Sequence, residues 1–409
     1  MIYIDCTSTY NINMLTGIQR VVYNILDELQ QEDYTKEQVQ PIVLSSRGFL
    51  PITSLNKHRY MLSHNNFKQQ QKYLTFFKNI NFRKIPKLYQ LMKYVFFMRK
   101  RLKTAYVISE PSIRFTKGDI VLFLDSSWNL PMWKEVKKAK KAEAKIVFVI
   151  YDFIPMLFPQ FCEKAHSKQF ELFFRKSLVV ADQYIGISKT VMNDISSLAA
   201  DLAPEQAKKI QYDYFYLGAN FSKENQEVKK IREEIIEFFN TKIPILLTVS
   251  TIEPRKNHAL ILDAFEKLIQ ENVSVKLCFI GKIGWKVESF MKRIENHPLL
   301  KKDFLVIHDA NDTELLYAYQ KSFTLVFAST TEGFGLPIIE ALNYNLPVIA
   351  SDIKIHREIG QNQITYFQDD NIQDLTSQIK QILLNPKKIS CSSWLTWKES
   401  ARMLFDKLK

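Results

Sequence analysis

From residue 243 to residue 351 short apolar runs alternate with amphipathic ones, and this alternation limits the fold more than any other feature of the chain. "IPILLTVS" precedes "NHALILDAFEKLIQE", "SVKLCFIG" precedes "VESFMKRIENH", and "DFLVIHD" precedes "DTELLYAYQKS". "FTLVFAST" then leads through a turn and a helix to "LPVIAS". The short runs are apolar at nearly every position, as strands buried on both faces are. The longer runs space their apolar residues like helices. Repeated strand–helix order predicts an α/β fold with a parallel sheet and helices on both of its faces.

The N-terminal half shows the same grammar less regularly. Strands are predicted at "MIYIDCT", "VQPIVLSS", "DIVLFLD", "AKIVFVIYD" and "QYIGIS". Helices are predicted at "TGIQRVVYNILDELQQE", "HSKQFELFFRKSLVVA" and "KTVMNDISSLA". "ENQEVKKIREEIIEFFN" is charged and reads as a linking helix. The expected division is an N-terminal domain over 1–221, a C-terminal domain over 222–395, and a closing helix over 396–409 that packs back on the first domain.

Four cysteines, at 6, 162, 278 and 391, lie far apart and form no C-x-x-C. That argues against a zinc site or a disulfide framework and fits a reducing compartment. "MIYIDCTSTY" has no basic or long apolar leader segment, so it does not read as a signal peptide. The most apolar run, "KIVFVIYDFIPMLF", is broken by Asp152 and Pro155 and is too short to span a bilayer. A cytoplasmic protein is expected.

The net charge of +13 is concentrated. Of 56 basic residues, fourteen lie between 38 and 109, where there is no Asp or Glu; the remaining 42 face 43 acidic residues. The region 55–112 reads as a basic insertion in the first domain. Within it, residues 67–103 mix cations with Phe, Tyr, Leu and Met. Two readings stand: contact with an anionic membrane surface, which would make the protein peripheral at the inner face of the cell membrane, or an insertion that packs its aromatics on the core and leaves its cations in water.

Ligands of doubly wound sheets sit beyond the carboxyl ends of the strands, so the polar loops there come first. The loop after "ILLTVS" reads "TIEPRKNH". Pro254 favours an extended Glu253, Asn257 is placed to cap the next helix, and Arg255 and Lys256 fall just before that helix. Adjacent cations there suit a diphosphate, Arg as a fork and Lys as a mobile point charge. The loop after "FTLVFAST" reads "TTEGFGLPIIEALN". Gly333 and Gly335 permit a sharp turn and a close backbone approach to a ligand, and Pro337 fits a helix start. Glu332 then lies in the loop and Glu340 on the helix. Eight residues of mostly helix separate the two by on the order of 10 Å or more along the axis. That favours two contacts on one elongated ligand over a hydrolytic carboxyl pair.

Together "STIEPRKNH", "FIGKIGW", "HDANDTELLYAYQKS", "EGFGLPIIE" and "LPVIASD", in this order, resemble glycosyltransferase family 4, the retaining GT-B enzymes that use nucleotide sugars. The resemblance extends to "TGIQRVV", "YDFIP" and "IGISKTVMNDI" in the first half, and it is weak over about 50–115. It implies two Rossmann-like domains facing a cleft, the first binding the acceptor and the second the donor. Arg255 and Lys256 would hold the donor diphosphate. Glu332 and the amides of Gly333, Phe334 and Gly335 would contact the sugar, Glu340 the ribose, and Gly17 would approach the diphosphate from the opposite domain. Asp152 closes "AKIVFVIYD" where many relatives carry a His-Asp pair. Tyr151 stands in place of the histidine, and Asp152 reads either as a catalytic residue beside sugar and acceptor or as a turn residue. No metal and no other cofactor is expected.

The implied activity is transfer of a hexose, with mannose from GDP-mannose as first choice, to a glycan or lipid-linked acceptor in bacterial surface polysaccharide (capsule or O-antigen) synthesis. The alternatives are a GT-B sugar-nucleotide epimerase, or a non-catalytic protein that uses the basic segment on nucleic acid or membrane. The donor loops weigh against a nucleic-acid partner.

Overall fold

A computed structural model of the 409-residue chain describes residues 1–11, 17–32, 38–53, 55, 108–219, 230–386 and 394–409. The segment 67–103, most of the basic insertion and the junction near residue 222 lie outside the described residues.

Two sheets account for the strands. The first contains β1 (Ile2–Asp5), β2 (Val39–Ser45), β3 (Gly48–Pro51), β4 (Ile120–Phe123), β5 (Lys145–Ile150), β6 (Gln183–Gly186) and β7 (Gln211–Tyr214), in the order β3-β2-β1-β4-β5-β6-β7. Its pairings are parallel except that of β2 with β3. The second contains β8 (Ile245–Val249), β9 (Lys276–Ile280), β10 (Phe304–Ile307), β11 (Thr324–Phe327), β12 (Val348–Ser351) and β13 (Thr365–Phe367), all parallel, in the order β10-β9-β8-β11-β12-β13. This is the doubly wound GT-B architecture expected from the sequence.

In each sheet the chain fills one side, then returns to the middle and fills the other. The reversals lie between β1 and β4 and between β8 and β11. Loops that leave adjacent strands in opposite directions open a crevice at that point, which is where ligands of such sheets bind.

Helix starts are fixed locally. Asn311 and Glu314 form a reciprocal capping box on helix Asp312–Lys321, and Thr396 and Glu399 another on helix Trp397–Leu408. Ser188 caps helix Lys189–Leu202 by accepting from the Val191 amide at 3.1 Å. Asn257 differs from expectation. It sits in the left-handed region (φ 53°) between a 3-10 turn and helix His258–Gln270 and makes no side-chain cap. Its side-chain Nδ2 instead donates to Asp370 Oδ1 at 3.3 Å.

The two sheet units are packed together. One apolar cluster runs from Ile4 and Val147 of the first unit to Leu325 and Ile338 of the second. Residues 217–219 and 394–397 lie side by side: the Ala219 amide donates to the Leu395 carbonyl at 3.1 Å, and the Trp394 indole donates to the Leu217 carbonyl at 2.8 Å. Helix Trp397–Leu408 then packs against helix Gly17–Gln31 of the first unit. Ser400 Oγ donates to the Tyr216 carbonyl at 2.6 Å, and Gln183 Nε2 donates to the Lys407 carbonyl at 3.0 Å.

Leu404 is fully buried in that last helix. Leu404→Ala should cost about 2–5 kcal/mol and speed amide exchange in helix Gly17–Gln31. Exchange confined to residues 397–409 would show that the helix does not brace the first domain.

Candidate active site

The loops after β8 and β11 meet over the crevice of the second sheet. Pro254–Lys256 forms a 3-10 turn, and the Arg255 carbonyl accepts from the Thr330 amide at 2.9 Å. Strand order makes this possible, since β8 and β11 are hydrogen-bonded neighbours. The side chains follow. Arg255 Nη1 donates to Glu332 Oε2 at 2.8 Å and to the Thr331 carbonyl at 3.1 Å, while Arg255 Nε pairs with Glu253 Oε1 at 2.7 Å. Lys256 Nζ donates to the other oxygen of Glu332. Glu332 thus lies in a fork of two cations.

The fork sets its protonation. Burial alone would raise the Glu332 carboxyl, but Arg255 and Lys256 outweigh it and hold the group well below the usual carboxylate range. Glu332 is therefore an anion throughout the neutral range and has no proton to donate. Burial and the neighbouring Arg255 lower the Lys256 ammonium, with Glu332 opposing. Burial raises Glu253, against the pull of Arg255 and Lys256. Burial also raises Asp152, with Arg255 opposing and Glu332 adding to the rise. Asp152 belongs to the first domain, at the end of β5, so it faces this cluster across the cleft. Its Oδ1 accepts from the Ile154 amide at 3.0 Å.

The Gly-Phe-Gly turn has a distinct job for each residue. Gly335 is in the left-handed region (φ 102°) at the N-cap of helix Leu336–Asn343, a conformation that costs glycine little. At Gly333 a Cβ would overlap the Tyr151 carbonyl oxygen and lie 3.2 Å from Asp152 Cβ. Its carbonyl accepts from Ser188 Oγ at 2.9 Å. The close approach that Gly333 permits is therefore made to the other domain. Phe334 is buried, with its ring against Tyr216 (centroids 6.2 Å) and Trp394 (6.0 Å) where the two chain crossings meet.

Glu340 is buried apart from this cluster. Its Oε2 accepts from the Tyr319 hydroxyl at 2.8 Å, and its Oε1 pairs with Arg20 Nη1 of the first domain at 3.1 Å. Gly17 opens the helix that carries Arg20, and a Cβ there would meet nothing within 4 Å. Arg255, Lys256, Glu332 and Asp152 are thus brought together, whereas Glu340 and Gly17 mark a second stretch of the cleft.

Sequence reasoning missed several participants. Glu253 and Arg20 lay inside quoted motifs, "TIEPRKNH" and "TGIQR", and their charge was the available signal. Ser188 and Trp285 also lay inside quoted motifs, "IGISKTVMNDI" and "FIGKIGW", but carry no charge to mark them, and Glu358 lay outside every quoted motif. Glu358 accepts from the Lys189 amide at 2.7 Å and the Thr190 amide at 2.8 Å, so a carboxylate of the second domain caps a helix of the first. Trp285 Nε1 donates to the Phe161 carbonyl at 2.6 Å, and Lys286 Nζ donates to the Gln160 and Cys162 carbonyls at 2.7 and 2.8 Å.

Residues 229–394 match the family Glycosyl transferases group 1. The second domain is a group 1 glycosyl transferase domain. A serotype-specific mannosyltransferase WbdA of Escherichia coli is 30% identical over 315 residues, 74% of this chain and 38% of that protein. The O-antigen chain mannosyltransferase RfbU of Salmonella typhimurium is 40% identical over 91 residues, 22% of this chain and 26% of that protein. The chain spans about two fifths of the length of the Escherichia coli relatives it matches. Among solved structures, Anabaena Alr3699/HepE in complex with UDP and glucose is 12% identical, with 99% of this chain and 94% of that one covered and a TM-score of 0.54. Sucrose-phosphate synthase (tll1590) from Thermosynechococcus elongatus is 14% identical, with 100% and 94% covered and a TM-score of 0.52. At those identities the likeness is one of fold.

Gly333→Ala should push the turn off Tyr151 and cost about 1–3 kcal/mol as overpacking. Amide exchange should rise together at residues 150–153 and 188–191. Wild-type stability and exchange in this variant would mean that the contact does not hold the domains in register.

Proposed function

We propose that the protein is a retaining, metal-independent glycosyltransferase. It moves a hexose from a nucleotide sugar to a glycan or lipid-linked acceptor in bacterial surface polysaccharide synthesis. The observation that carries the reading is the Arg255–Lys256–Glu332 cluster, buried at the β8/β11 reversal inside a group 1 glycosyl transferase domain. The mannosyltransferase relatives favour mannose, and GDP-mannose is the donor to test first.

In this reading Arg255 and Lys256 take the donor diphosphate. Glu332 and the turn at Gly333–Gly335 take the sugar, Glu340 takes the ribose, and Gly17 approaches the diphosphate from the opposite domain. Glu332 stays ionised, which suits an electrostatic contact to sugar hydroxyls and rules it out as a general acid. Stabilisation of the departing diphosphate by the two cations then supplies much of the rate, as fixed charges do when aimed at developing charge in a dry cleft. No proton-transfer pair of glutamates is required, and no covalent glycosyl-enzyme is expected. Asp152 faces the cluster from the first domain, where the acceptor hydroxyl would approach.

Among the described residues no helix is long and apolar enough to cross a membrane, and no group of three His, Cys, Asp or Glu is placed to hold a metal ion. A cytoplasmic protein, peripheral at the membrane through residues 67–103 and without a nucleic-acid partner, is part of the proposal.

Arg255→Ala and Lys256→Ala should each weaken binding of the free nucleoside diphosphate by about 2–4 kcal/mol, the scale of a lost charge-assisted contact. Glu332→Gln should lower turnover strongly with nucleotide affinity nearly kept. Calorimetry with GDP and UDP, together with product analysis by NMR, checks both. Unchanged nucleotide affinity in both cation variants, or an inverted anomeric centre in the product, would overturn the reading.

A further inference from the structure

Three consecutive backbone carbonyls of the first domain are taken by two adjacent side chains of the second. Trp285 Nε1 donates to the Phe161 carbonyl at 2.6 Å, and Lys286 Nζ donates to the carbonyls of Gln160 and Cys162 at 2.7 and 2.8 Å. These carbonyls are available because they end a 3-10 turn, Pro159–Phe161. The turn's own bonds run from the Phe161 amide to the Phe158 carbonyl and from the Cys162 amide to the Pro159 carbonyl. The next three carbonyls lie past the turn and need donors from elsewhere. A cation suits that place, because the carbonyl end of a helical turn is its negative end.

Both ends of this link are tied to the candidate active site. On the second-domain side, Lys286 is left-handed (φ 58°), a conformation that a residue with a Cβ adopts at a cost. Such strain persists where surrounding contacts over-determine it, and it collects at clamps. The same loop is bonded to the loop after β8: the Ile252 amide donates to the Lys282 carbonyl at 2.8 Å, and the Gly284 amide donates to the Ile252 carbonyl at 2.9 Å. Ile252 leads directly into Glu253, Arg255 and Lys256. On the first-domain side, the captured segment begins at Asp152, which accepts from the Ile154 amide, and runs through the short helix Ile154–Leu157 into the turn. Burial raises the Cys162 thiol, Asp152 adds to the rise and Arg255 opposes it, so the far end of the segment lies within electrostatic reach of both.

This link is independent of the other contacts between the domains. Phe334 meets the Tyr216 ring beside the chain crossings, and burial raises the Tyr216 phenol with Glu358 adding to the rise. The bonds of Trp285 and Lys286 involve none of these residues, nor any residue of the Gly-Phe-Gly turn. Domains that part about the crossings have to break direct hydrogen bonds that span the cleft between them.

We propose that Trp285 and Lys286 are positioning residues that form a clasp across the cleft. They hold the segment that follows Asp152 against the loop that carries Arg255 and Lys256, and they release it when nucleotide enters or leaves. The clasp rests on the glycosyltransferase reading above. Its donors belong to one loop and its acceptors to one turn, so it makes and breaks as a unit.

Two changes cut the clasp and leave most of its bulk. Trp285→Phe keeps a ring and loses the N–H, and Lys286→Met keeps the stem and loses the ammonium. Both side chains are exposed, so neither change opens a cavity in the core. Amide exchange on the full chain is measured together with stopped-flow binding of GDP and UDP, each carrying a fluorescent methylanthraniloyl group. In the double variant, exchange over residues 153–162 should rise roughly tenfold, and nucleotide association and dissociation should both quicken by about the same factor with Kd unchanged, the scale of one lost charge-assisted contact. Lys286→Arg, which keeps the cation and its donors, should stay close to wild type. A contact that only braced the fold would lower affinity or stability without quickening both rates. Unchanged exchange over 153–162, unchanged rates, or a Kd that weakens as dissociation quickens would each overturn the clasp while the donor reading stands. A wild-type chain that binds neither nucleotide would remove the donor reading, and the clasp with it.

Discussion

The second domain's cleft is organised by one residue. Arg255 ties the loop after β8 to the loop after β11 three times over, through its carbonyl to Thr330 and through Nη1 to Glu332 and the Thr331 carbonyl, while its Nε turns back to Glu253 in its own loop. A planar cation with several donors can do this where an ammonium cannot. Removing it would leave Glu253 and Glu332 as buried carboxylates with only Lys256 opposite, an arrangement that costs far more than the contacts themselves are worth. The charges are unbalanced as they stand. Two cations face Glu253, Glu332 and, across the cleft, Asp152. Burial already raises Asp152 and Glu253. A diphosphate entering the cluster would push both further toward their neutral forms, because added negative charge disfavours ionisation. In the proposed reading, donor binding and the protonation of Asp152 would be coupled.

The same loop is also where the domains touch. Gly333 lies against the Tyr151 carbonyl and accepts from Ser188, while Glu358 caps the helix that Ser188 begins. Phe334 reaches in the other direction, to Tyr216 and Trp394 at the chain crossings. Arg20 crosses to Glu340 and Trp285 to Phe161. Five residues of the second domain, Gly333, Phe334, Glu340, Glu358 and Trp285, therefore join it to the first around the rim of one cleft. Any change in the Glu332–Gly335 turn is felt on the first domain without passing through solvent.

Much of this was legible in the sequence. The strands of both sheets that are apolar on both faces, such as "AKIVFVIYD" and "SVKLCFIG", stand out because parallel strands cannot afford polar residues there. The missed elements lack that mark. β7 is a half-buried edge strand spelled Gln-Tyr-Asp-Tyr, and β3 is a four-residue antiparallel edge. The charged motifs were visible because Arg, Lys and Glu in loops after buried strands have little structural reason to be there. Their partners were not visible, since distance along the chain says nothing of contact across a cleft: Glu332 and Asp152 are 180 positions apart. Asn257 was misjudged because cap preference is a statement about extended residues, and this asparagine is left-handed.

The glycines show the limit most clearly. A Gly-x-Gly before a helix reads as freedom for the backbone to approach a ligand. Gly335 uses that freedom for its own left-handed cap, and Gly333 uses it to lie on Tyr151. Sequence can state that a side chain is excluded at a position, but not what excludes it. Here the excluding surface is the end of β5, one residue from Asp152, so the turn that carries Glu332 is seated against the strand end that carries the facing carboxylate. The separation of those two acids is set by backbone contact, independent of how either titrates. A cleft built this way can let Asp152 change protonation state while Glu332, held by its two cations, stays charged and in place.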